Sequence, residues 1–378
     1  MGGGKVSYKA EQCVSHWPSH GGQPAALLKR FGLPDAHPIE DFSANLNPLG
    51  PPEWVANALT ASIASLAHYP APDYREAREA IAAYHGVTPE QVLLTNGGAE
   101  AIFLVAARYA GKRAAIVTPG FGEYARACRA HRLPITYIAL SAPTFELDLD
   151  ALMASLKDIS VLFLCRPNNP TATLIPLSTM QALLARTAAI GCDVVVDEAF
   201  VDMTVEEGER ASLTPLLADH PHLLLLRSMT KFYTLPGLRV GYVLAPSVAI
   251  QTLAVHQPPW SVNQMAAALV APLLRDAAFA EQTRSWLNQQ HPLMAASLLT
   301  KGLDVVTSTT NFFLARPNNT LRERGLTSNV LFERLLRNGI LVRHTHNFAG
   351  LDGDWVRIAL RGATANQRLL KVLNDCLC

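Results

Sequence analysis

Charge of either sign is scarce and nearly balanced in this chain: 32 Lys and Arg stand against 31 Asp and Glu, a formal net charge of +1 over 378 residues. Polyanions are held by concentrated basic surfaces, so this composition argues against nucleic acid or acidic lipid as a partner. No apolar run approaches the ~20 residues needed to cross a bilayer. The longest candidate, Met265 to Leu274, is interrupted by Pro272. The opening Met1-Gly2-Gly3-Gly4-Lys5-Val6 has no apolar stretch after its lysine, as a secretory leader requires. It places Val6 where myristoylation needs Ser or Thr, and it lacks the upstream glycine of a phosphate-binding P-loop. The cysteines (Cys13, Cys128, Cys165, Cys192, Cys376 and Cys378) include no pair with two intervening residues, so neither a zinc knuckle nor a redox dithiol is indicated. Several lie in apolar strand-like runs, as buried free thiols do. Cys376-Leu377-Cys378 has no His or basic cluster beside it and reads as a frayed helix end rather than a metal or lipid site. Repeats and low-complexity segments are absent. A soluble protein in a reducing, cytoplasmic setting, acting on a small molecule and holding no metal, is the expectation.

What the chain does have is apolar bulk, 49% of its residues, arranged with regularity. Short apolar runs at Val92–Thr95, Ala114–Thr118, Ile135–Leu140, Val161–Cys165, Asp193–Val196, Leu223–Arg227 and Val240–Ala245 alternate with amphipathic stretches such as Ala99–Tyr109, Tyr124–His131 and Ser178–Ile190. Strands apolar on both faces, alternating with helices, predict an α/β fold with a mostly parallel sheet covered on both sides. Beyond about residue 255 the texture changes to helices at Ser261–Asn288 and His291–Lys301. Strands at Asn311–Arg316, Ile340–His344 and Trp355–Arg361 follow, with helices at Asn329–Asn338 and Ala365–Leu373. This predicts a large unit over residues 49–255 and a smaller α+β unit from residues 256–378, with 1–48 packed against it.

Open parallel sheets bind ligands beyond the carboxyl ends of their strands. Asn96-Gly97-Gly98-Ala99 follows the first run, where glycines let backbone N–H groups approach a phosphate at a helix start, although by itself this is an ordinary strand-to-helix turn. Phe121 follows the second run and could stack on a flat ring or simply fill the core; Asn169 follows the fourth in a loop with two prolines. Asp197 ends a fully apolar strand, a costly place for a carboxylate without a partner. After the next run come Ser228, Thr230 and Lys231, with Arg239 eight residues further on. Two hydroxyls and a guanidinium suit a phosphate. A lysine among them, near positive charge and desolvated, is disposed to be a neutral amine able to form a Schiff base.

The ordered set Gly97-Gly98-Ala99, Phe121, Asn169-Pro170, Asp197, Ser228-x-x-Lys231 and Arg239 resembles the fold-type I pyridoxal-phosphate enzymes, the aspartate aminotransferase superfamily. The resemblance implies a pyridoxal 5'-phosphate cofactor on Lys231, with Gly98, Ala99, Ser228, Thr230 and Arg239 on its phosphate. It further implies Phe121 on the ring, Asn169 on the ring oxygen and Asp197 on the ring nitrogen. Aminotransferases of that superfamily usually have Tyr three residues after the Asp; here it is Phe200. Longer strings fit a narrower group: His20-Gly21-Gly22, Asp41 to Gly50, His68-Tyr69-Pro70, Asp197 to Phe200, Arg227 to Tyr233, Pro236 to Arg239 and Pro259 to Asn263. These are similar to the L-threonine-O-3-phosphate decarboxylase family of cobalamin biosynthesis, relatives of histidinol-phosphate aminotransferase, where Phe is the usual residue at position 200. That resemblance implies a phosphorylated amino acid contacted by His20, Gly21, Asn45, Asn169, Arg343 and Arg357. It also implies a homodimer in which Tyr69 reaches the cofactor phosphate of the partner subunit. The residues agree on the arginines: a substrate with one carboxylate and one phosphate needs two anion clamps, and Arg343 and Arg357 lie in apolar strands, where the other reading is a structural salt bridge.

Overall fold

The computed structural model describes residues 17–377; Met1–Val6, Cys13 and Cys378 lie outside the described residues. Its strands are β1 (Glu40–Phe42), β2 (Val92–Thr95), β3 (Ala114–Thr118), β4 (Ile135–Ala139), β5 (Val161–Cys165), β6 (Asp193–Asp197), β7 (Leu223–Ser228), β8 (Gly241–Leu244), β9 (Leu303–Val305), β10 (Phe312–Pro317), β11 (Ile340–His344) and β12 (Val356–Ala359).

Seven of them form one sheet in the order β2-β8-β7-β6-β5-β3-β4. β3 to β7 run parallel, and β8 is antiparallel to both of its neighbours. β3, β5 and β7 are buried along their whole length, as continuous apolar runs predict for a sheet sandwiched between helices. The helices Gly97–Arg108, Gly122–Ala130 and Leu177–Ala189 supply part of that cover. The carboxyl ends of β2, β3, β5, β6 and β7 share one edge of the sheet, and every chemical motif singled out there follows one of those ends.

The second sheet has the order β1-β11-β12-β10-β9. β1 pairs in parallel with β11, Glu40 opposite Ile340, so the N-terminal segment joins the smaller sheet. Neither β1 nor β9 is anticipated by periodicity, since three residues are too few to show any.

The long helical region departs from expectation. The break lies at Asp276, between helices Gln264–Arg275 and Ala277–Thr300, and not between residues 288 and 291. Asp276 Oδ1 accepts the Phe279 N–H at 2.9 Å, capping the second helix, while Trp54 Nε1 donates to Oδ2 at 2.6 Å. Pro292 sits inside the second helix, whose line of buried Trp286, Leu287, His291, Met294 and Leu298 holds it against the core despite the lost backbone bond. Among the described residues, no helix is long and apolar enough to cross a membrane, and no group of His, Cys, Asp or Glu is arranged to hold a metal. Asp276→Ala removes a cap and the acceptor of a half-buried indole N–H together. It is expected to cost about 2 kcal/mol, read from the midpoint of urea unfolding.

Candidate active site

The sheet edge gathers two groups of polar side chains. The first surrounds the start of helix Gly97–Arg108, whose leading N–H groups have no partner within the helix. Gly97 has φ +74°, and a Cβ there would meet Arg239 Nη2 at 2.4 Å, so the guanidinium lies directly against the helix start. Gly98 lies beside Ser228, and the Ser228 and Thr230 hydroxyls are 2.8 Å apart. A cation at the positive end of a helix is repelled unless an anion sits between them. Arg239 donates only to the Pro236 carbonyl, at 3.0 Å, and pairs with no carboxylate among the described residues. Gly98, Ala99, Ser228, Thr230 and Arg239 thus form a cradle with the electrostatics and donors of a phosphate site.

Lys231 stands at the end of β7, in the short helix Met229–Phe232. Burial lowers its ammonium from the usual value to about 8, helped by the nearby charges of Arg239 and Arg357 and opposed by Asp197. Asp197, at the end of β6, is buried, and burial raises its carboxyl above the ordinary value. Two donors oppose that shift: Tyr124 Oη on Oδ2 at 2.6 Å and the Ala199 N–H on Oδ1 at 3.0 Å. Tyr124 carries no sequence signal of this role, because its partner is brought close only by the sheet. Phe121 caps the helix Gly122–Ala130, its ring centroid 5.8 Å from that of Tyr124. Phe200 packs edge-on against Phe312 at 5.1 Å, in a small apolar cluster with Ala172.

The second group comes from the smaller sheet and the N-terminal segment. Arg343 and Arg357 are direct neighbours across β11 and β12, both buried. Arg357 donates from Nη1 to Asn169 Oδ1 at 2.5 Å and from Nη2 to the Ser43 carbonyl at 2.6 Å. Arg343 donates to the carbonyls of Pro18 (3.2 Å) and Ser19 (2.7 Å) and to Asn347 Oδ1 (2.8 Å). Neither forms an ion pair with a carboxylate among the described residues, so the structural salt bridge weighed for each is not found. Burial pushes Arg357 down to about 9, with Arg343 adding repulsion and Asp41 opposing; burial alone pushes Arg343 down to about 10. Asn45 is 4% exposed, and both its amide nitrogen and its oxygen lack a partner among the described residues. Leaving such groups unpaired is costly, which marks a place for a ligand. Asn169 accepts from Arg357 on its oxygen, so its amide donors remain for something else. His20 Nε2 lies 3.2 Å from Glu123 Oε1, and Gly21 packs against the Ser43 carbonyl.

Tyr69 is not brought to this site within the chain. It is 80% exposed and lies 4.7 Å from the Trp260 ring. The other predicted site residues converge. A cradle for phosphate, a lysine whose ammonium is lowered to about 8 and a buried carboxylate fit the cofactor that the sequence resemblance implies.

Residues 38–374 match the family model for aminotransferase class I and II. The chain belongs to this family. Within it, threonine-phosphate decarboxylase of Salmonella typhimurium is 37% identical over 95% of this chain and 96% of its own length. Among solved structures, L-threonine-O-3-phosphate decarboxylase of Porphyromonas gingivalis is 28% identical with a TM-score of 0.77, covering 88% of this chain and 98% of that one. Histidinol-phosphate aminotransferase from Clostridium acetobutylicum is 26% identical with a TM-score of 0.83, covering 89% and 98%. The fold-type I architecture expected from the sequence is the fold of this family.

Tyr124→Phe tests the newly seen donor on Asp197. An acid whose folded-state value is raised loses stability as pH climbs from its unfolded to its folded value. Removing one donor raises Asp197 further. The variant is therefore expected to lose about 1–3 kcal/mol near pH 8 and less near pH 4, where the carboxyl is closer to neutral in both states. Urea titrations at the two pH values measure this, and equal losses would contradict it.

Proposed function

We propose that the chain is a pyridoxal-phosphate-dependent carboxy-lyase. Its substrate is L-threonine O-3-phosphate and its product is (R)-1-amino-2-propanol O-2-phosphate, the linker of the cobalamin nucleotide loop. The observation that carries this reading is the pair Arg343 and Arg357, two buried, adjacent guanidiniums without a carboxylate partner. A substrate with one carboxylate and one phosphate supplies an anion to each.

Pyridoxal phosphate, when bound, supplies the electron sink that accepts the bonding pair leaving the substrate α-carbon. Gly98, Ala99, Ser228, Thr230 and Arg239 hold its phosphate, and Phe121 covers a face of its ring. Asp197 keeps a proton on the ring nitrogen, and Asn169 donates to the ring oxygen. Phe200 has no hydroxyl to share that task. Lys231 anchors the cofactor through its amine. Lys231 would also be the group that delivers a proton to the substrate α-carbon in place of the departed carbon dioxide. Arg357 acts on Lys231 electrostatically and bonds Asn169, so it holds the carboxylate next to the reacting carbon. Arg343, further out beneath the Pro18–Ser19 segment, holds the phosphate together with His20, Gly21 and Asn45. Clamps that present the carboxylate rather than the α-hydrogen to the electron sink would direct the reaction to decarboxylation.

The larger unit of the proposed enzyme is residues 49–255 and the smaller 1–48 with 256–378, a division supported by the pairing of β1 with β11. The proposed assembly is a cytoplasmic homodimer. Tyr69, exposed alongside Ile63, Leu66 and Trp260, reaches the cofactor phosphate of the partner subunit.

Purified protein is expected to release carbon dioxide from phosphothreonine without any oxo acid. Borohydride is expected to bleach its yellow absorbance and leave a pyridoxyl mass on the Lys231 peptide. A histidinol-phosphate-type aminotransferase, the alternative favoured by the TM-score of 0.83, would instead need an oxo-acid acceptor. Release from phosphoserine measured beside phosphothreonine separates those two substrates.

Only the neutral amine of Lys231 can capture the cofactor. Capture by cofactor-free protein, followed as the growth of visible absorbance, is therefore expected to quicken with pH and level off above about 8. Arg357→Met removes a neighbouring cation and shifts that inflection to higher pH. An inflection that stays in place contradicts the assignment.

A further inference from the structure

Residues 18–22 form a strap, and most of its anchors belong to the smaller sheet or to the chain just after β1. Arg343 binds the Pro18 and Ser19 carbonyls, Asn347 Nδ2 donates to Ser19 at 2.8 Å, and the Gly22 N–H donates to Ser43 Oγ at 2.8 Å. His20, between these anchors, contacts the large sheet's helix Gly122–Ala130. Its ring centroid is 5.9 Å from that of Phe121, and its Nε2 is 3.2 Å from Glu123 Oε1.

Glu123 is buried in the first turn of that helix, where free N–H groups favour a negative charge. Its other oxygen faces the largely exposed Arg126 at 3.3 Å. The hydrogen bond from His20 holds the Glu123 carboxyl below its ordinary value against the opposing effect of burial, with Arg126 assisting. The carboxylate occupies the far nitrogen of the imidazole, Nε2. That leaves Nδ1 as the nitrogen available to a ligand.

We infer that Glu123 is a positioning residue for substrate phosphate: it fixes the His20 imidazole through Nε2 so that Nδ1 faces the phosphate held by Arg343. This rests on the phosphorylated amino acid reading above. It assigns to a helix residue outside the clamps a share of the selection for phosphorylated over plain amino acids.

The test is a double-mutant cycle on carbon dioxide release by the holoenzyme. Glu123→Ala is expected to raise KM for phosphothreonine about tenfold, the worth of a charge-assisted hydrogen bond, with kcat moving far less. His20→Ala is expected to raise KM at least as much, and the double variant no more than His20→Ala alone, because Glu123 acts through His20. Inhibition by L-threonine, which has the amine and carboxylate but no phosphate, is expected to be unchanged in all three. Glu123→Gln keeps the shape and an acceptor oxygen, so its rise in KM is expected to be smaller than that of Glu123→Ala. Multiplying single-variant effects, or an equal weakening of L-threonine, would show a general packing role and overturn the inference. Should the wild-type enzyme release no carbon dioxide, the substrate reading fails. Turnover with independent single-variant effects sinks the Glu123 role alone.

Discussion

Arg343 and Arg357 are paired across neighbouring strands, buried, and anchored by backbone carbonyls, amide oxygens, the His344 ring and the faces of Phe348 and Phe312. Like charges this close, removed from water, repel and cost free energy. Neutral acceptors meet several of the guanidinium N–H groups but leave Arg357 Nε without a partner among the described residues, and Asp41 offsets only part of the charge of Arg357. Much else at the sheet edge follows from that constraint. Lys231 lies within the same positive field, which assists burial in loosening its proton. Asp197 is the buried carboxylate that offsets part of it, and Tyr124 keeps that carboxylate hydrogen-bonded. Arg239 at a helix start repeats the motif of a cation awaiting an anion.

The chain treats a structural cation differently. Arg227 is equally buried, one residue before Ser228, and its side chain is ringed by Glu198 at 3.6 Å, Asp202 at 3.0 Å and Glu209. The Glu209 carboxylate also meets His85, so the charge is compensated within the fold. Arg227 is thus neutralised within the fold at the end of β7, whereas Arg166 is buried on the carbonyls of Ile175 and Ala211. What sets Arg343 and Arg357 apart is their adjacency, since burial is common to all four.

Legibility in the sequence follows the range over which each feature is determined. The strands of the large sheet are visible because burial on both faces demands unbroken apolar runs, and the residues after those runs are visible because the sheet edge is a fixed place for ligands. Ser228, Thr230 and Lys231 could be read together because they are local to one turn. Asp276 could not be read as a boundary: an aspartate inside a helical pattern looks like any exposed position, and its capping bond with Phe279 exists only once the helices separate. The break expected between residues 288 and 291 is absent, because the packed face of that helix outweighs the bond missing at Pro292. Tyr124 and Glu123 were silent for a related reason. Their partners lie 73 residues downstream and at His20, and only the assembled sheet and strap bring them within reach. Tyr69 marks the limit of a single chain, since the role implied for it belongs to another copy.

The grip of Arg343 on the Pro18 carbonyl joins groups 325 residues apart in sequence, and β1 spans a similar distance to reach β11. Contacts that close such long loops carry a high entropic cost and form late. The strands of the large sheet pair within a much shorter stretch of chain, yet Lys231 is tied to the same distant segment, its carbonyl accepting the Asn47 N–H at 3.2 Å. The site thus stands where both ends of the chain are sewn onto its middle, so loosening the N-terminal segment would disturb the arginines and the lysine together.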